Sequence, residues 1–163
     1  MPFYEGDLNG KGSRIALVAS RFNLSVTERM LKGAIEGLKS CGIGEEELSI
    51  AWVPGAFEIP LIAKKMAESK QYDAVLCIGA VIRGETAHFE YVASQAASGI
   101  LQISLSTGIP VIFSVLTTET LQQALDRSEA KGKNIGHKGA LAAIEMVNLL
   151  RDLENDYRHS KRD

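Results

Sequence analysis

A short run in the middle of the chain, Arg83-Gly84-Glu85-Thr86-Ala87-His88, combines residues that could bind an anion and transfer a proton. We expect Arg83 to Thr86 to open a helix, and the unpaired amide groups at a helix start attract phosphate. His88 falls in that first turn, where its imidazole could exchange protons with a bound substrate. Each signal is weak alone, because most helix starts hold water or a capping side chain and a lone histidine is more often structural.

Aromatic side chains stand near the same predicted sheet edge. Three of the five phenylalanines, Phe22, Phe57 and Phe113, lie at or beside the ends of predicted strands. An exposed aromatic ring there could cover a flat heterocycle. The alternative is that each ring caps the core at its strand end, and this interpretation is the better one for any single phenylalanine taken alone.

A basic group follows the fourth predicted strand. It comprises Arg127, Lys131 and Lys138. These side chains could bind phosphate, or they could simply favour the C-terminus of a helix.

Apolar runs alternate with helical patterns along the chain and would position these residues. The runs 14–20, 48–53, 74–79 and 111–116 predict central parallel strands. Helices are expected at 25–40, from Pro60, from Arg83, at 118–127 and at 139–153. This order predicts a flavodoxin-like three-layer α/β/α sandwich with a four-stranded parallel sheet, in which ligands bind beyond the carboxyl ends of the strands. We expect a single domain over 1–163, with an extended arm at 1–12 and a charged helix end at 151–163.

The stretch 91–118 contains no Asp, Glu, Lys or Arg, although it includes most of a predicted helix. A helix without charges has no obvious face for water. We therefore expect it to pack against another subunit. The alternative is a surface solvated only by its serines and glutamines.

Composition excludes several classes of function. The 18 basic and 20 acidic residues give a formal charge of −2, which favours neither nucleic acid nor an anionic membrane as a partner. The N-terminal sequence does not resemble a signal peptide, so we expect a soluble, cytoplasmic protein. Cys41 and Cys77 are expected to be reduced packing residues, and the scattered histidines predict no metal site.

Four runs of sequence, spread over nearly the full chain, are similar to the lumazine synthase family. They are VPGAFEIP at 53–60, GAVIRGETAHFEYV at 79–92, VLTTET at 115–120 and KGALAAIEM at 138–146. The second run is highly specific. The resemblance implies condensation of 5-amino-6-(D-ribitylamino)uracil with 3,4-dihydroxy-2-butanone 4-phosphate to 6,7-dimethyl-8-ribityllumazine, phosphate and water, without metal or redox cofactor.

The resemblance also implies a role for each matching residue. Those expected to bind the pyrimidine and its ribityl chain are Phe22, Ala56, Phe57, Glu58, Ala80, Val81, Ile82, Phe113 and Lys138. The keto-phosphate is expected at Glu85, Thr86 and Arg127, and His88 is expected to transfer protons. In the family the subunits form pentamers, and Phe113 and Arg127 complete the site of a neighbouring subunit.

One segment departs from the family pattern, which we expect to run Arg-x3-Lys-x3-Lys-Gly. Here six residues separate Lys131 from Lys138, so 132–137 resembles a loop with an insertion of about three residues. We therefore expect Lys138 rather than Lys131 to reach the pyrimidine. Because pentamers of the family meet at this loop in sixty-subunit shells, we expect a homopentamer and leave the larger shell open, with riboflavin synthase as a further partner.

Two other classes of function remain open. A flavodoxin-like carrier of a flavin or nucleotide would need a phosphate loop rich in glycine and hydroxyl groups after the first strand, and Ser20-Arg21-Phe22-Asn23-Leu24 is not such a loop. A purely structural shell protein would form large particles with no affinity for small molecules.

Overall fold

Alternating apolar strands and helices build one parallel sheet. A computed structural model describes residues 1–129 and 132–160 of the chain. The strands are β1 (Ile15–Ser20), β2 (Leu48–Val53), β3 (Ala74–Ile82) and β4 (Val111–Thr118), in the order β2-β1-β3-β4. All three strand pairs are parallel.

Helices cover both faces of this sheet. They are α1 (Leu24–Ser40), α2 (Ile59–Glu68), α3 (His88–Thr107), α4 (Leu121–Ser128) and α5 (Ile135–Ser160). Alternate residues of β1 enter different cores: Leu17 packs with residues of α1 and α5, whereas Val18 packs with residues of α2 and α3. Because both faces of the strand are buried, its sequence is an unbroken apolar run. The predicted three-layer sandwich is confirmed.

The expectation that all four strands are central is wrong. β1 and β3 occupy the middle of the sheet, and β2 and β4 are its edges. Burial follows this order, since every residue of β1 is buried whereas most of β2 is only partly buried. Apolar composition alone does not distinguish an edge strand from a central one when helices cover both faces.

Three helix starts also differ from the sequence-based expectation by several residues. α4 begins at Leu121 rather than Thr118, because β4 runs on to Thr118. α3 begins at His88 rather than Arg83, because β3 runs on to Ile82 and the Arg83 N–H still donates to the Thr118 carbonyl at 2.9 Å. α5 begins at Ile135, where Asn134 Oδ1 accepts a hydrogen bond from the His137 N–H at 3.0 Å. Half of the expected 132–137 loop is therefore helix.

The N-terminal arm packs against the last helix. The N-terminal arm has no helix or strand before β1 and lies along α5, where Asn148 Nδ2 donates to the carbonyls of Asp7 and Asn9, each at 3.0 Å. The Tyr4 hydroxyl also donates to Asp156 on this helix. The charged C-terminal segment continues α5 to Ser160, and 161–163 lie outside the described residues. Within the described ranges, no helix is long and apolar enough to cross a membrane.

Candidate active site at the carboxyl edge of the sheet

A cavity of about 610 Å³ opens beyond the carboxyl ends of β1, β2 and β3. Nine of the residues expected at the site line it, and we call it the edge pocket. They are Phe22, Ala56, Phe57, Glu58, Ala80, Val81, Ile82, Thr86 and His88. Gly84, Phe89, Tyr91 and Val92 are further lining residues from the same segments. The edge rule for parallel sheets thus locates the pocket correctly.

Three exposed aromatic rings line the edge pocket, those of Phe22, Phe57 and Tyr91. Phe22 is 70% exposed and Phe57 is 58% exposed, so neither of them caps the core. The segments that carry them are joined, because the N–H groups of Arg21 and Phe22 donate to the carbonyls of Val53 and Pro54 at 2.8 and 3.0 Å. Exposed rings held on connected turns can cover a planar ligand.

The last residues of β3 lie beside the edge pocket because this strand is longer than its neighbour. The β1 to β3 ladder ends at the Ala19 and Ile78 pair, whereas the β3 to β4 ladder continues to Ile82. On the β1 side of this extension, the Ala80 carbonyl accepts from Asn23 Nδ2 at 2.9 Å. The main chain at 81–82 has no strand neighbour on that side within the described chain, so its polar groups can bind a ligand.

Asn23 lies after the first predicted strand, but the sequence assigns it no role. Its backbone is left-handed, with φ 60° and ψ 48°, and it forms the N-cap of α1. This conformation is more accessible to asparagine than to most residues. The Asn23 amide fixes the spacing between the turn that carries Phe22 and the end of β3. An asparagine three residues after the end of a strand was the only available signal.

The segment 84–87 and the first turn of α3 form another wall of the edge pocket. Thr86 and His88 both line it, and the His88 N–H lies 3.4 Å from Thr86 Oγ1. The His88 ring makes no hydrogen bond with another described side chain or backbone group, so it can reach a ligand. Glu85 lies between Gly84 and Thr86 but is not itself part of the lining.

Three expected site residues lie away from the edge pocket. Phe113 is on the edge strand β4 and is 43% exposed, Arg127 is in the last turn of α4, and Lys138 is in α5. All three side chains are exposed. Among the described residues, the hydrogen bond made by the Arg127 side chain is local to its own helix, from Nη1 to the Gln123 carbonyl at 3.1 Å. Lys131 lies outside the described residues.

A second cavity, of about 430 Å³, lies between α1 and the turn before α5. Its lining includes Arg29, Lys32, Glu36 and Glu129, which carry charges of both signs. None of the expected site residues lines it. In the two described ranges, no group of three or more His, Cys, Asp or Glu residues could hold a metal ion.

One buried hydroxyl near the edge pocket allows a prediction about the stability of the fold. Ser20, at the end of β1, is 1% exposed, and its Oγ has no hydrogen-bond partner in the described structure. A buried polar group without a partner costs about 1–3 kcal/mol. In urea unfolding experiments, we expect Ser20→Ala to leave the free energy of unfolding unchanged or to raise it by up to about 1 kcal/mol.

Ser114→Ala is the matched control. Ser114 is also 1% exposed on a strand, but its Oγ donates to the Ile135 carbonyl at 3.2 Å. Loss of this hydrogen bond in Ser114→Ala should lower the free energy of unfolding by about 1 kcal/mol. Equal losses in the two variants would contradict the assignment of Ser20 as unpartnered.

The fold and the edge pocket together define a flavodoxin-like α/β protein with a cavity of small-molecule size at the carboxyl edge of its sheet. The strand order is that of the flavodoxin-like class without its fifth strand. Comparison with known proteins identifies the family. Residues 12–151 match the family model described as 6,7-dimethyl-8-ribityllumazine synthase.

Two similar proteins carry the same name. They are 6,7-dimethyl-8-ribityllumazine synthases of Clostridium kluyveri, strains DSM 555 and NBRC 12016. Each is 53% identical over 154 residues, which cover 94% of this chain and 100% of the relative. The chain therefore belongs to the lumazine synthase family. It is a transferase of riboflavin biosynthesis.

Proposed function

We propose that the edge pocket is where this chain condenses 5-amino-6-(D-ribitylamino)uracil with 3,4-dihydroxy-2-butanone 4-phosphate. The products are 6,7-dimethyl-8-ribityllumazine, phosphate and water. The observation that carries this assignment is the meeting of nine expected residues, from three separate strand ends, around one cavity. A cavity of about 610 Å³ is also within the range of small-molecule sites.

The pyrimidine half of the pocket lies between Phe22 and the end of β3. The Phe22 ring stacks on the heterocycle, and the main chain of Ala80, Val81 and Ile82 meets its polar edge. Ala56, Phe57 and Glu58 contact the ring and the ribityl hydroxyl groups. The Glu58 carboxylate, which lines the pocket, is a suitable acceptor for several hydroxyl donors.

The keto-phosphate half lies at the segment 84–87. Main-chain amides of Glu85 and Thr86 receive the phosphate, since the helix start beside them favours an anion. Phe113, Arg127 and Lys138 complete the site of a neighbouring subunit. Their exposure and their distance from their own chain's edge pocket are consistent with this role.

The reaction needs several proton transfers, and His88 performs them. The free amine of the pyrimidine attacks the ketone, and the resulting carbinolamine loses water to form an imine. Loss of a proton from carbon allows phosphate to leave, and the ribityl-bearing nitrogen then closes the ring with loss of a second water. The pocket contributes most by holding the amine beside the ketone.

Formation of the fluorescent product tests this function directly. Purified protein mixed with the two substrates should produce 6,7-dimethyl-8-ribityllumazine, followed by its fluorescence. Protein that is yellow as purified but inert toward the substrates would contradict the proposal and favour a carrier.

Arg127→Ala is expected to weaken binding of the keto-phosphate. Charge-assisted hydrogen bonds contribute about 1.5–3 kcal/mol, so the KM for this substrate should rise by roughly 10 to 100-fold. The KM for the pyrimidine should change little. Steady-state kinetics with each substrate varied in turn would measure both.

Arg29→Ala provides the control for Arg127→Ala. Arg29 is an exposed arginine on α1 with no ion pair among the described residues, and it lines the second cavity instead. An unchanged KM for the keto-phosphate in Arg127→Ala would remove its assigned role.

Because the site is shared, oligomers assembled from His88→Ala and Arg127→Ala chains should regain part of the activity.

The family is oligomeric and acts on small molecules, and we propose that this chain forms a homopentamer in the cytoplasm. The part of α3 from Tyr91 onward carries no charged residue and supports such an interface, because Tyr91, Leu101 and Leu105 are exposed on it. Exposed apolar side chains along one helix favour burial against another subunit. Riboflavin synthase remains a further proposed partner, and sedimentation analysis would measure the assembly.

A further inference from the structure

Arg83 joins the end of β3 to the start of α3. Its Nε donates to Glu119 Oε2 at 2.8 Å, and its Nη1 donates to Glu90 Oε1 at 3.1 Å. The guanidinium also lies over the Phe89 ring, 4.5 Å from the centroid. One side chain thus contacts the residue after β4 and both residues that follow His88.

Few other contacts hold the segment 84–87, which lies between these anchors. All four of its residues are exposed, and a side chain at Gly84 would meet no atom within 4 Å. The hydrogen bonds it makes are local: one from the His88 N–H to Thr86 Oγ1 and one from the Glu90 N–H to the Ala87 carbonyl. Its position therefore depends on the groups at its two ends.

We propose that Arg83 is a positioning residue for the reaction. Its two carboxylate contacts and its contact with Phe89 fix the start of α3 against β4. This fixes the His88 imidazole and the Thr86 main chain with respect to the edge pocket. The inference rests on the proposed function, since it assigns to Arg83 the placement of groups that act there.

Arg83 is not a free cation for phosphate, although it is adjacent to the proposed phosphate site. Two carboxylates already occupy its Nε and Nη1 groups. Hydrogen bonds to Glu90 and then to Glu119 raise the pKa of the guanidinium above its usual value. A guanidinium paired in this way orients its neighbours instead of attracting an anion.

The two roles predict opposite effects when a carboxylate is removed. If Arg83 positions the segment, Glu119→Gln should lower kcat as Arg83→Ala does, but to a smaller extent. If Arg83 itself binds phosphate, Glu119→Gln would free the guanidinium and lower the KM for the keto-phosphate. The second result would overturn the proposal.

Arg83→Ala should lower kcat by roughly 10 to 100-fold, because small misplacements of catalytic groups have effects of this size. The KM for the pyrimidine should stay within about twofold, since that ring binds elsewhere in the pocket. Arg83→Lys keeps the charge but loses the planar fork, so it should restore only part of kcat. Full restoration by lysine would contradict a role that depends on two simultaneous contacts.

Arg151→Ala is the matched control, because Arg151 also makes two contacts. It donates to Ser13 Oγ and Asp73 Oδ1, each at 3.0 Å. Asp73 lies just before β3, at the amino ends of the strands and away from the edge pocket. Its removal should leave kcat unchanged. A loss of kcat in Arg83→Ala no larger than in Arg151→Ala would overturn the inference.

Hydrogen exchange gives a second readout that does not require activity. Amides at 84–90 should exchange several-fold faster in Arg83→Ala than in the natural chain without substrates, while those of β1 should not change. Unchanged exchange at 84–90 would contradict the inference. If the natural chain makes no lumazine, the proposed function fails, and that outcome is distinct from both results on Arg83.

Discussion

Replacing His88 with alanine is expected to lower kcat for lumazine formation by roughly 10² to 10⁴-fold and to leave a measurable rate. The loss reflects general acid and base catalysis, because the ring lines the edge pocket and has no competing hydrogen bond within the described chain. The residual rate reflects proximity. A pocket that holds an amine against a ketone can supply effective molarities of about 10⁵ M or more.

Single-turnover rates of the natural chain and the variant would measure the contribution of His88 to the chemical step, and the rate of the variant above that of the uncatalysed reaction would measure the rest. His137→Ala is the control, since this histidine lies in α5, with Nδ1 3.2 Å from the Gly33 carbonyl, and lines the second cavity. It should keep the natural kcat. A His88→Ala variant with full activity would remove the assigned proton transfer, and one with no activity at all would indicate that proximity contributes little.

Gly136→Ala is expected to destabilise the fold by about 3 kcal/mol or more. A Cβ at this position would lie 2.0 Å from the Met30 carbonyl oxygen and 2.7 Å from its carbon, so the backbones of α1 and α5 would have to move apart. An alanine in a helix normally stabilises it by about 1 kcal/mol relative to glycine. The sign of the change therefore tests whether the two helices are in close contact.

Gly37→Ala, on the partner helix of the same pair, is the graded control. Its Cβ would meet the Ala140 side chain at 3.0 Å, which a small shift can relieve. It should cost far less than Gly136→Ala in urea unfolding at a fixed protein concentration, since oligomers gain stability with concentration. Equal stabilities for the two variants would contradict the packing of α1 on α5.

The strands and the order of elements could be predicted because a strand that is buried on both faces has a continuous run of apolar residues. The apolar run at 74–79 indicates β3, yet the strand reaches Ile82. Its last three residues are held by β4, through the ladder from Ala80 to Ile82, and no local pattern encodes a pairing partner some 36 residues away. For the same reason the predicted start of α3, at Arg83, lies five residues before the observed start at His88.

The positions of the site residues were predictable in part from chemistry and in part only by resemblance. Strand ends point to Phe22, Phe57 and the residues after β3, and they do line one pocket. The roles of those residues rest on the family. The sequence predicts that Arg83 opens a helix, whereas the structure pairs it with Glu119, which follows a strand distant in sequence. Such contacts appear only in three dimensions. The role of α3 as a subunit contact stays a prediction.

The end of β3 has a consequence for the evolution of the pocket. Where the strand outruns β1, the atoms that can recognise a heterocycle belong to peptide groups, which every amino acid shares. Substitutions at Ala80, Val81 or Ile82 therefore reshape the wall of the cavity without altering its pattern of donors and acceptors. Selectivity for the hydrogen-bonding groups of a ring therefore depends on how far β3 extends. It can persist when many side chains around the pocket change.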